Sequence, residues 1–335
     1  MGTERNFQVR LAGRPEGMPT RQHWEMSSTE IVWPSDGEVL VKTAFISIDP
    51  AMRGWLRDAK SYLPPVAIGE VMRAGGVGTI IASKHPDLKE GDQVVGHIGV
   101  QSHALVQGGA LRKVSDKVAP LSTYLGVLGM PGMTAYFGMT DVGALEIGDT
   151  VLVSAAAGAV GSIAGQVARN RGAGRVVGIA GSDEKCRHVV ENLGFDAAIN
   201  YKTESVGEKI KDHCPAGIDV FFDNVGGDIL DHALSRLRQR ARVVLCGAIS
   251  QYNNLGNVRG PRNYLSLLVN RARMEGFIVS DYSNQYGSAV GEMAGWLAEG
   301  KLRHRETLVQ GIETFPETFQ RLFSGEKIGK LLIQV

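Results

Sequence analysis

The sequence predicts an α/β protein in which a doubly wound parallel-sheet domain, residues 130–300, is joined to a discontinuous β-rich domain made of residues 1–129 and 301–335. Three observations predict it. The 335-residue chain is about twice the usual single-domain length. Its rhythm changes at Met130, from short strands broken by turns to strands alternating with helices. And at residues 151–166 (VLVSAAAGAVGSIAGQ) an apolar strand runs into a glycine-spaced turn that opens a helix.

In order along the first part, residues 38–48 are apolar and rich in β-branched side chains, and they stop at Asp49-Pro50. Residues 77–82 and 93–95 are further short strands, punctuated by Gly75-Gly76, Pro86 and Gly91-Asp92. Gly75-Gly76-Val77-Gly78 leads into a strand, which marks it as a turn or bulge. In the second part, strands are expected at 150–156, 176–180, 219–223, 242–247 and 275–279, and helices at 159–170, 183–193 and 290–298. The terminal strand, residues 330–335 (KLLIQV), resumes the earlier style and should rejoin the first domain.

Composition excludes several classes. Thirty-six basic and 35 acidic residues give a net charge of +1, no basis for nucleic-acid or membrane binding. The alternating Arg236, Arg238, Arg240 and Arg242 read as a solvated helix end entering a strand at 243–245. Three scattered cysteines without a CxxC argue for reduced thiols. With no apolar stretch long enough for a signal peptide or a span, a soluble cytoplasmic protein is expected.

The turn Ala156-x-Gly158-x-x-Gly161 is the dinucleotide fingerprint with alanine at its first glycine. Gly158 would admit a pyrophosphate to the backbone, and Gly161 would let helix and strand pack closely. The second strand ends in Gly181-Ser182 with no carboxylate at its tip, where an NAD site carries an acid. Asp183 comes later, where it can cap the next helix, followed by Lys185 and, after the third strand, Tyr201. Glycine, hydroxyl, cation and phenol suit a 2′-phosphate, so NADPH/NADP+ is preferred over NADH.

The β-rich part holds no cysteine, and His23, His85, His97 and His103 lack metal-site spacing. Without a Lewis acid, reduction of a simple ketone is difficult and conjugate reduction easier. Hydride reaches the β-carbon, charge spreads onto the carbonyl oxygen, and one hydrogen-bond donor can stabilise it. No G-x-S-x-G elbow supports serine-nucleophile chemistry.

Those residues carry a resemblance that spans nearly the whole chain. Asp49-Pro50-Ala51-Met52-Arg53, the run Leu128–Tyr136, the turn Ala155–Gly161, Gly181–Lys185, Asp223–Gly227, Cys246–Ser250 and Met274–Phe277 are similar to motifs of the zinc-independent medium-chain dehydrogenase/reductases. Within that superfamily the chain resembles the branch of prostaglandin, alkenal double-bond and NADPH-dependent curcumin reductases, with Ile68–Met72 closest to the last. The resemblance implies a GroES-like catalytic domain beside a Rossmann domain, the cofactor in the cleft, and a homodimer. It implies an enone or enal as small-molecule substrate. Ala157, Gly158, Ala159, Val160 and Gly161 would hold the pyrophosphate, and Gly181, Ser182, Lys185 and Tyr201 the 2′-phosphate region. Asn224, Cys246, Gly247, Ala248 and Ile249 would line the adenosine and ribose side; Met130, Thr134, Phe277 and Val279 would flank the nicotinamide. Tyr252 matches a tyrosine placed near the substrate carbonyl and is the implied catalytic residue. Two positions depart from the family: Ala51 stands where tyrosine is usual, and Lys327 where asparagine is frequent, with Gly329 beyond it also toward the cofactor. Tyr62 is a candidate second pocket aromatic. A quinone reductase of the same superfamily, or a nucleotide-binding protein with little catalysis, are the alternative readings.

Overall fold

The computed structural model describes residues 4–254 and 258–335. Packing divides the chain into two compact units, Met1–Leu125 with Glu306–Val335, and Gly126–Arg305.

The first unit opens with β1 (Arg5–Leu11) paired antiparallel to β2 (Trp24–Glu30). There follow β3 (Glu38–Ser47), a one-turn helix α1 (Met52–Trp55), β4 (Gly75–Ser83), β5 (Gln93–His97), β6 (His103–Gln107) and β7 (Arg112–Val114). β3 is hydrogen-bonded along its two edges to β4 and β6 and is buried at most positions, Lys42 excepted, in keeping with its nearly continuous apolar sequence. Gly75 to Gly78 lie inside β4, and the bulge sits opposite, where Ala44 is skipped between Thr43 and Phe45. A Cβ on Gly78 would stand 2.2 Å from the Lys42 carbonyl oxygen, so the glycine there permits backbone approach.

The second unit runs α2 (Met130–Phe137), β8 (Thr150–Val153), α3 (Gly161–Asn170), β9 (Arg175–Ala180), α4 (Asp183–Arg187), β10 (Ala197–Asn200), α5 (Val206–His213), β11 (Ile218–Asp223), α6 (Gly227–Leu234), β12 (Leu237–Leu245), α7 (Leu265–Asn270), β13 (Arg273–Gly276) and α8 (Tyr286–Ala298). Its sheet is parallel, in the order β10-β9-β8-β11-β12-β13. Numbered within the unit this is 3-2-1-4-5-6, the Rossmann order. β11 at its centre is buried at every position. Gly165 of α3 admits the Phe195 ring, which would lie 1.9 Å from any Cβ there.

Several sequence expectations shift: the strand expected at 150–156 ends at Val153, that at 242–247 runs Leu237–Leu245, and the helix at 290–298 begins at Tyr286. α3 begins at Gly161, because residues 156–160 are the turn itself. The strand placed at 275–279 lies at Arg273–Gly276. The helix expected over 183–193 is α-helical to Arg187 and then widens into a π-turn, His188–Asn192. The arginine run is not a helix end: α6 stops at Leu234, and Arg238, Arg240 and Arg242 lie on β12.

The chain then returns to the first unit as β14 (Glu306–Gln310), α9 (Phe315–Ser324) and β15 (Lys330–Gln334). β15 pairs parallel with β14 and antiparallel with β3, which closes the order β14-β15-β3-β4-β5-β7. The return also completes this unit's core: Trp24 meets Phe315 edge-on at 4.9 Å between ring centroids, with Phe319 stacked behind. Among the described residues no helix is long and apolar enough to cross a membrane.

Candidate functional site

The carboxyl ends of β8, β9, β11 and β12 meet in three connected corners of the second unit. In the first, the chain leaves β8 through Ser154, turns at Ala155 with φ of 50°, and enters α3. A Cβ on Gly161 would lie 2.4 Å from the Ala155 carbonyl oxygen, so this position accepts only glycine without a backbone shift. Gly158 is looser, at 3.1 Å from the same oxygen. The Gly158 N–H donates to Ala155, and the first bond into the helix is Ser162 N–H to Gly158 at 3.1 Å. Ala157, Ala159 and Val160 complete the turn, Ala157 buried and the others half-buried. The amide end of α3 thus faces a chain that carries no acidic side chain from Val151 to Gln166.

The second corner lies beyond β9 and β10. Gly181 packs under Tyr201, whose ring and hydroxyl would stand 2.8 and 3.0 Å from a Cβ. Ser182 is the N-cap of α4, accepting from the Lys185 N–H at 3.2 Å. The expected cap, Asp183, instead accepts from the Asn200 side chain at 2.6 Å, which ties the carboxylate to β10. Burial, then the charge of Lys202, lowers the Lys185 pKa. Both effects disfavour the Lys185 cation, and an anion such as a 2′-phosphate would relieve them.

In the third corner the sequence named Asn224, Cys246–Ile249 and Tyr252, but gave no role to Ser154 or Asp223. Asp223, fully buried at the end of β11, accepts from the Ser154 hydroxyl at 2.8 Å and from the Val225 and Gly226 N–H groups. Burial pushes this carboxyl above its ordinary range, against those donors. Asn224 donates from its backbone to the Ser154 hydroxyl and from its side chain to the Ser154 carbonyl, at 2.8 and 2.7 Å. The Cys246 and Gly247 N–H groups donate to the Asp223 carbonyl, and Ile249 N–H to that of Asn224. The Ala248 N–H donates to the Tyr252 hydroxyl at 3.2 Å, with Gly247 directly beneath that oxygen. One bonded chain therefore brings Asn224, Cys246, Gly247, Ala248, Ile249 and Tyr252 together. The signal was present in the polar Ser154 and Asp223, which follow the apolar runs Val151–Val153 and Val220–Phe222.

Thr134 caps back onto Met130 in α2, its hydroxyl donating to the Met130 carbonyl at 2.7 Å. Phe277 reaches the end of α2, where its ring would lie 2.7 Å from a Cβ on Gly138. The Val279 carbonyl accepts from Tyr286.

The remaining expected residues belong to the first unit. Ala51 precedes α1 and packs on its core; Tyr62 is 52% exposed; Gly329, with φ of 72°, and Lys327 precede β15. The turn that holds Ala51 is fixed from below. The buried Lys330 ammonium donates to Asp49 at 3.0 Å and to the Ile48 carbonyl at 2.9 Å, while Arg53 donates to the carbonyls of Pro15 and Gly17. Lys330 was not singled out in the sequence, because its acid lies 281 positions away.

Residues 8–114 match the family described as N-terminal domain of oxidoreductase, and residues 159–295 that described as zinc-binding dehydrogenase. The second description names zinc, yet among the described residues no three His, Cys, Asp or Glu side chains are grouped to hold a metal. The chain is 40% identical to the NADPH-dependent curcumin reductase of Escherichia coli, over 99% of this chain and 97% of that one. It is 40% identical to prostaglandin reductase 1 of Oryctolagus cuniculus, over 94% and 89%. It is similar to the crystal structure of CurA in complex with NADPH from Vibrio vulnificus, with a TM-score of 0.93, 41% identity, and 98% and 99% of the two chains covered.

Proposed function

The chain belongs to the zinc-independent branch of the medium-chain dehydrogenase/reductase family, together with the curcumin and prostaglandin reductases, and from that premise we propose that it reduces the carbon–carbon double bond of α,β-unsaturated ketones and aldehydes with NADPH. The observation that carries the reading is the corner formed by Gly181, Ser182, Lys185 and Tyr201, where Lys185 is half-buried beside the charge of Lys202 and the Asp183 carboxylate is bonded to Asn200. When bound, NADPH supplies the hydride. The Gly158–Gly161 turn and the amide end of α3 seat the pyrophosphate. Lys185 and the Ser182 and Tyr201 hydroxyls hold the 2′-phosphate. Asn224, ordered through Ser154 by Asp223, fixes the loop Cys246–Ile249 against the ribose side. Met130, Thr134, Phe277 and Val279 flank the nicotinamide.

Tyr252 is the proposed donor to the substrate carbonyl. Its oxygen already accepts from Ala248, and an oxygen that accepts is the stronger donor through its own O–H. As charge develops on the carbonyl oxygen, that bond strengthens and lowers the barrier. Lys327 and Gly329 are assigned to the cofactor side, and Ala51 and Tyr62 to the substrate side, Ala51 leaving room where the family carries an aromatic. The test is NADPH oxidation by the purified protein with enals and enones, the saturated carbonyl compound being the product. Cofactor-loaded protein inert to every such acceptor would overturn the proposal.

We also propose a homodimer in the cytoplasm. β13 is the edge of its sheet, and α7 beside it leaves Leu265, Leu268 and Val269 exposed by 57, 76 and 70%. An unpaired edge beside apolar surface is best covered by a second copy. The three cysteines are free thiols, in keeping with a reducing compartment. Sedimentation at the mass of one 36.0 kDa chain would exclude the dimer.

A further inference from the structure

We infer that Lys330 is a positioning residue for the enone: its buried ammonium sets the turn Asp49–Arg53 that carries Ala51. This rests on the reductase reading and on Ala51 belonging to the substrate side. Lys330 opens β15, Asp49 lies two residues beyond β3, and both are buried. The Lys330 ammonium donates to the Ile48 carbonyl at 2.9 Å, to the Asp49 carboxylate at 3.0 Å and to the Leu331 carbonyl at 3.1 Å. Three acceptors use all three hydrogens, so the group is held as the cation. Burial lowers its pKa, with Asp49 and then Glu306, its register partner on β14, opposing that shift. The second oxygen of Asp49 accepts from the Ser47 hydroxyl, so the carboxylate is engaged at both ends.

Two of the three acceptors stand at the entry to the turn. The Ile48 N–H also donates to the Leu331 carbonyl at 3.2 Å, which stitches the entry to β15 through backbone as well as side chain. Beyond it the chain winds tightly. The Met52 and Arg53 N–H groups donate to the carbonyls of Asp49 and Pro50 at 3.1 Å, and Gly54 N–H to that of Ala51 at 3.0 Å. The Asp49 N–H meets the sulfur of the fully buried Met52 at 3.4 Å. Ala51 therefore sits two residues after Asp49 and two before Arg53, which the carbonyls of Pro15 and Gly17 hold. Pro50, its φ fixed by the ring, makes the link from Asp49 to Ala51 stiff. A displacement at Asp49 is passed on to Ala51.

Stability does not account for the pair. Taking two charges out of water costs several kcal/mol for each ion, and well-packed apolar side chains of like volume often serve a core as well or better. Apolar neighbours are at hand, since Ile46, Ile48, Met52, Leu331 and Ile333 all belong to this core. What an apolar pair lacks is direction. Charge-assisted bonds to a carboxylate and to the carbonyl before it fix one placement of the turn, where packing alone would accept several. Lys330 lies in the interior of its own unit, so these partners stay with it whatever covers the surface.

The test compares the wild-type chain with the double variant Asp49→Asn, Lys330→Met, which removes both charges together; Lys330→Met alone would strand a buried carboxylate. Each is assayed for enone reduction at saturating NADPH, for NADPH affinity, and by NMR of protein labelled at its methionine methyls. Per NADPH-binding molecule, kcat/KM for the enone should fall at least ~10-fold, most of it in KM, the scale on which misplacing a positioning group acts. NADPH Kd should stay within about twofold. The Met52 methyl signal should shift, because its sulfur meets the Asp49 N–H. Ser47→Ala releases one carboxylate oxygen and keeps the ion pair; it should move KM and the Met52 signal the same way by less, and it decides the matter if the double variant does not fold. A lower urea midpoint with KM unchanged would leave Lys330 a purely structural residue and overturn the inference. So would a fall confined to kcat, or an unmoved Met52 methyl. A wild type inert to every enone overturns the reductase reading and the inference with it, whereas an active wild type matched by its variants overturns the inference alone.

Discussion

At the scale of single residues, cofactor choice turns on what stands at the end of one strand. The sequence places no carboxylate there, and the structure explains how the nearest one is kept away: Asp183 is bonded to Asn200, while Ser182 takes the capping role assigned to Asp183. Replacing Lys185 with alanine should weaken NADPH by about 1.5–3 kcal/mol, the worth of a charged hydrogen bond. That is roughly a 10- to 150-fold rise in Kd, with NADH unchanged. Fluorescence titration of both cofactors checks it, and an equal loss for the two would show that Lys185 does not face the extra phosphate. For Tyr252, replacement by phenylalanine should lower kcat by about 10²-fold, the effect of removing one oxyanion donor, and leave NADPH affinity within twofold. An unchanged kcat removes Tyr252 from the mechanism. Both residues were legible because each belongs to a local motif. Ser154 and Lys330 were not, because their partners lie 69 and 281 positions away and no local pattern encodes such a pairing.

At the scale of elements, strands and helices with one apolar face or a buried apolar run were readable, and exceptions arose where backbone accounting outweighed pattern. The arginine run alternates as a solvated helix end would, yet α6 ends at Leu234 and the parallel ladder with β11 claims Leu237 onward. Glycine spacing identified the turn before α3; the distance to Ala155 shows which glycine bears the constraint. Gly161→Ala should destabilise the protein by about 1–3 kcal/mol, the cost of overpacking against a backbone oxygen. It should also reduce NADPH affinity. Gly291 offers the contrast: it is exposed in the middle of α8, with nothing within 4 Å of a Cβ. Gly291→Ala should stabilise by about 0.5–1 kcal/mol through helix propensity. Urea denaturation of both variants checks the pair, and a Gly161→Ala protein as stable as wild type would mean that the turn relaxes at no cost.

At the scale of the whole molecule, stability above neutral pH is set by which state holds its protons longer. Burial pushes the Cys186 and Cys214 thiols up to about 11 and that of Cys246 to about 12. Tyr136, Tyr282 and Tyr286 shift upward for the same leading reason. For each, the folded chain binds protons that the unfolded chain has released, so stability falls as pH rises between the two values. Lys185 and Lys330 are lowered by burial and act in the opposite sense, with stability rising through their window below 10.5. The three thiols, each raised by about two units or more from 9.0, set the sign from that value upward, and the unfolding free energy should decline from about pH 9 toward 11. Cys214, fully buried in the core of the second unit, carries about 2.7 kcal/mol of this at most, two units at 1.36 kcal/mol each. Cys214→Ala should therefore flatten the decline by up to about 1.4 kcal/mol per pH unit, whatever constant cost its smaller volume imposes. Urea midpoints at pH 8, 9, 10 and 10.5 separate the slope from that constant. Parallel curves for the two proteins would mean that the thiol titrates alike in both states, and that its burial is shallower than the packing around it shows.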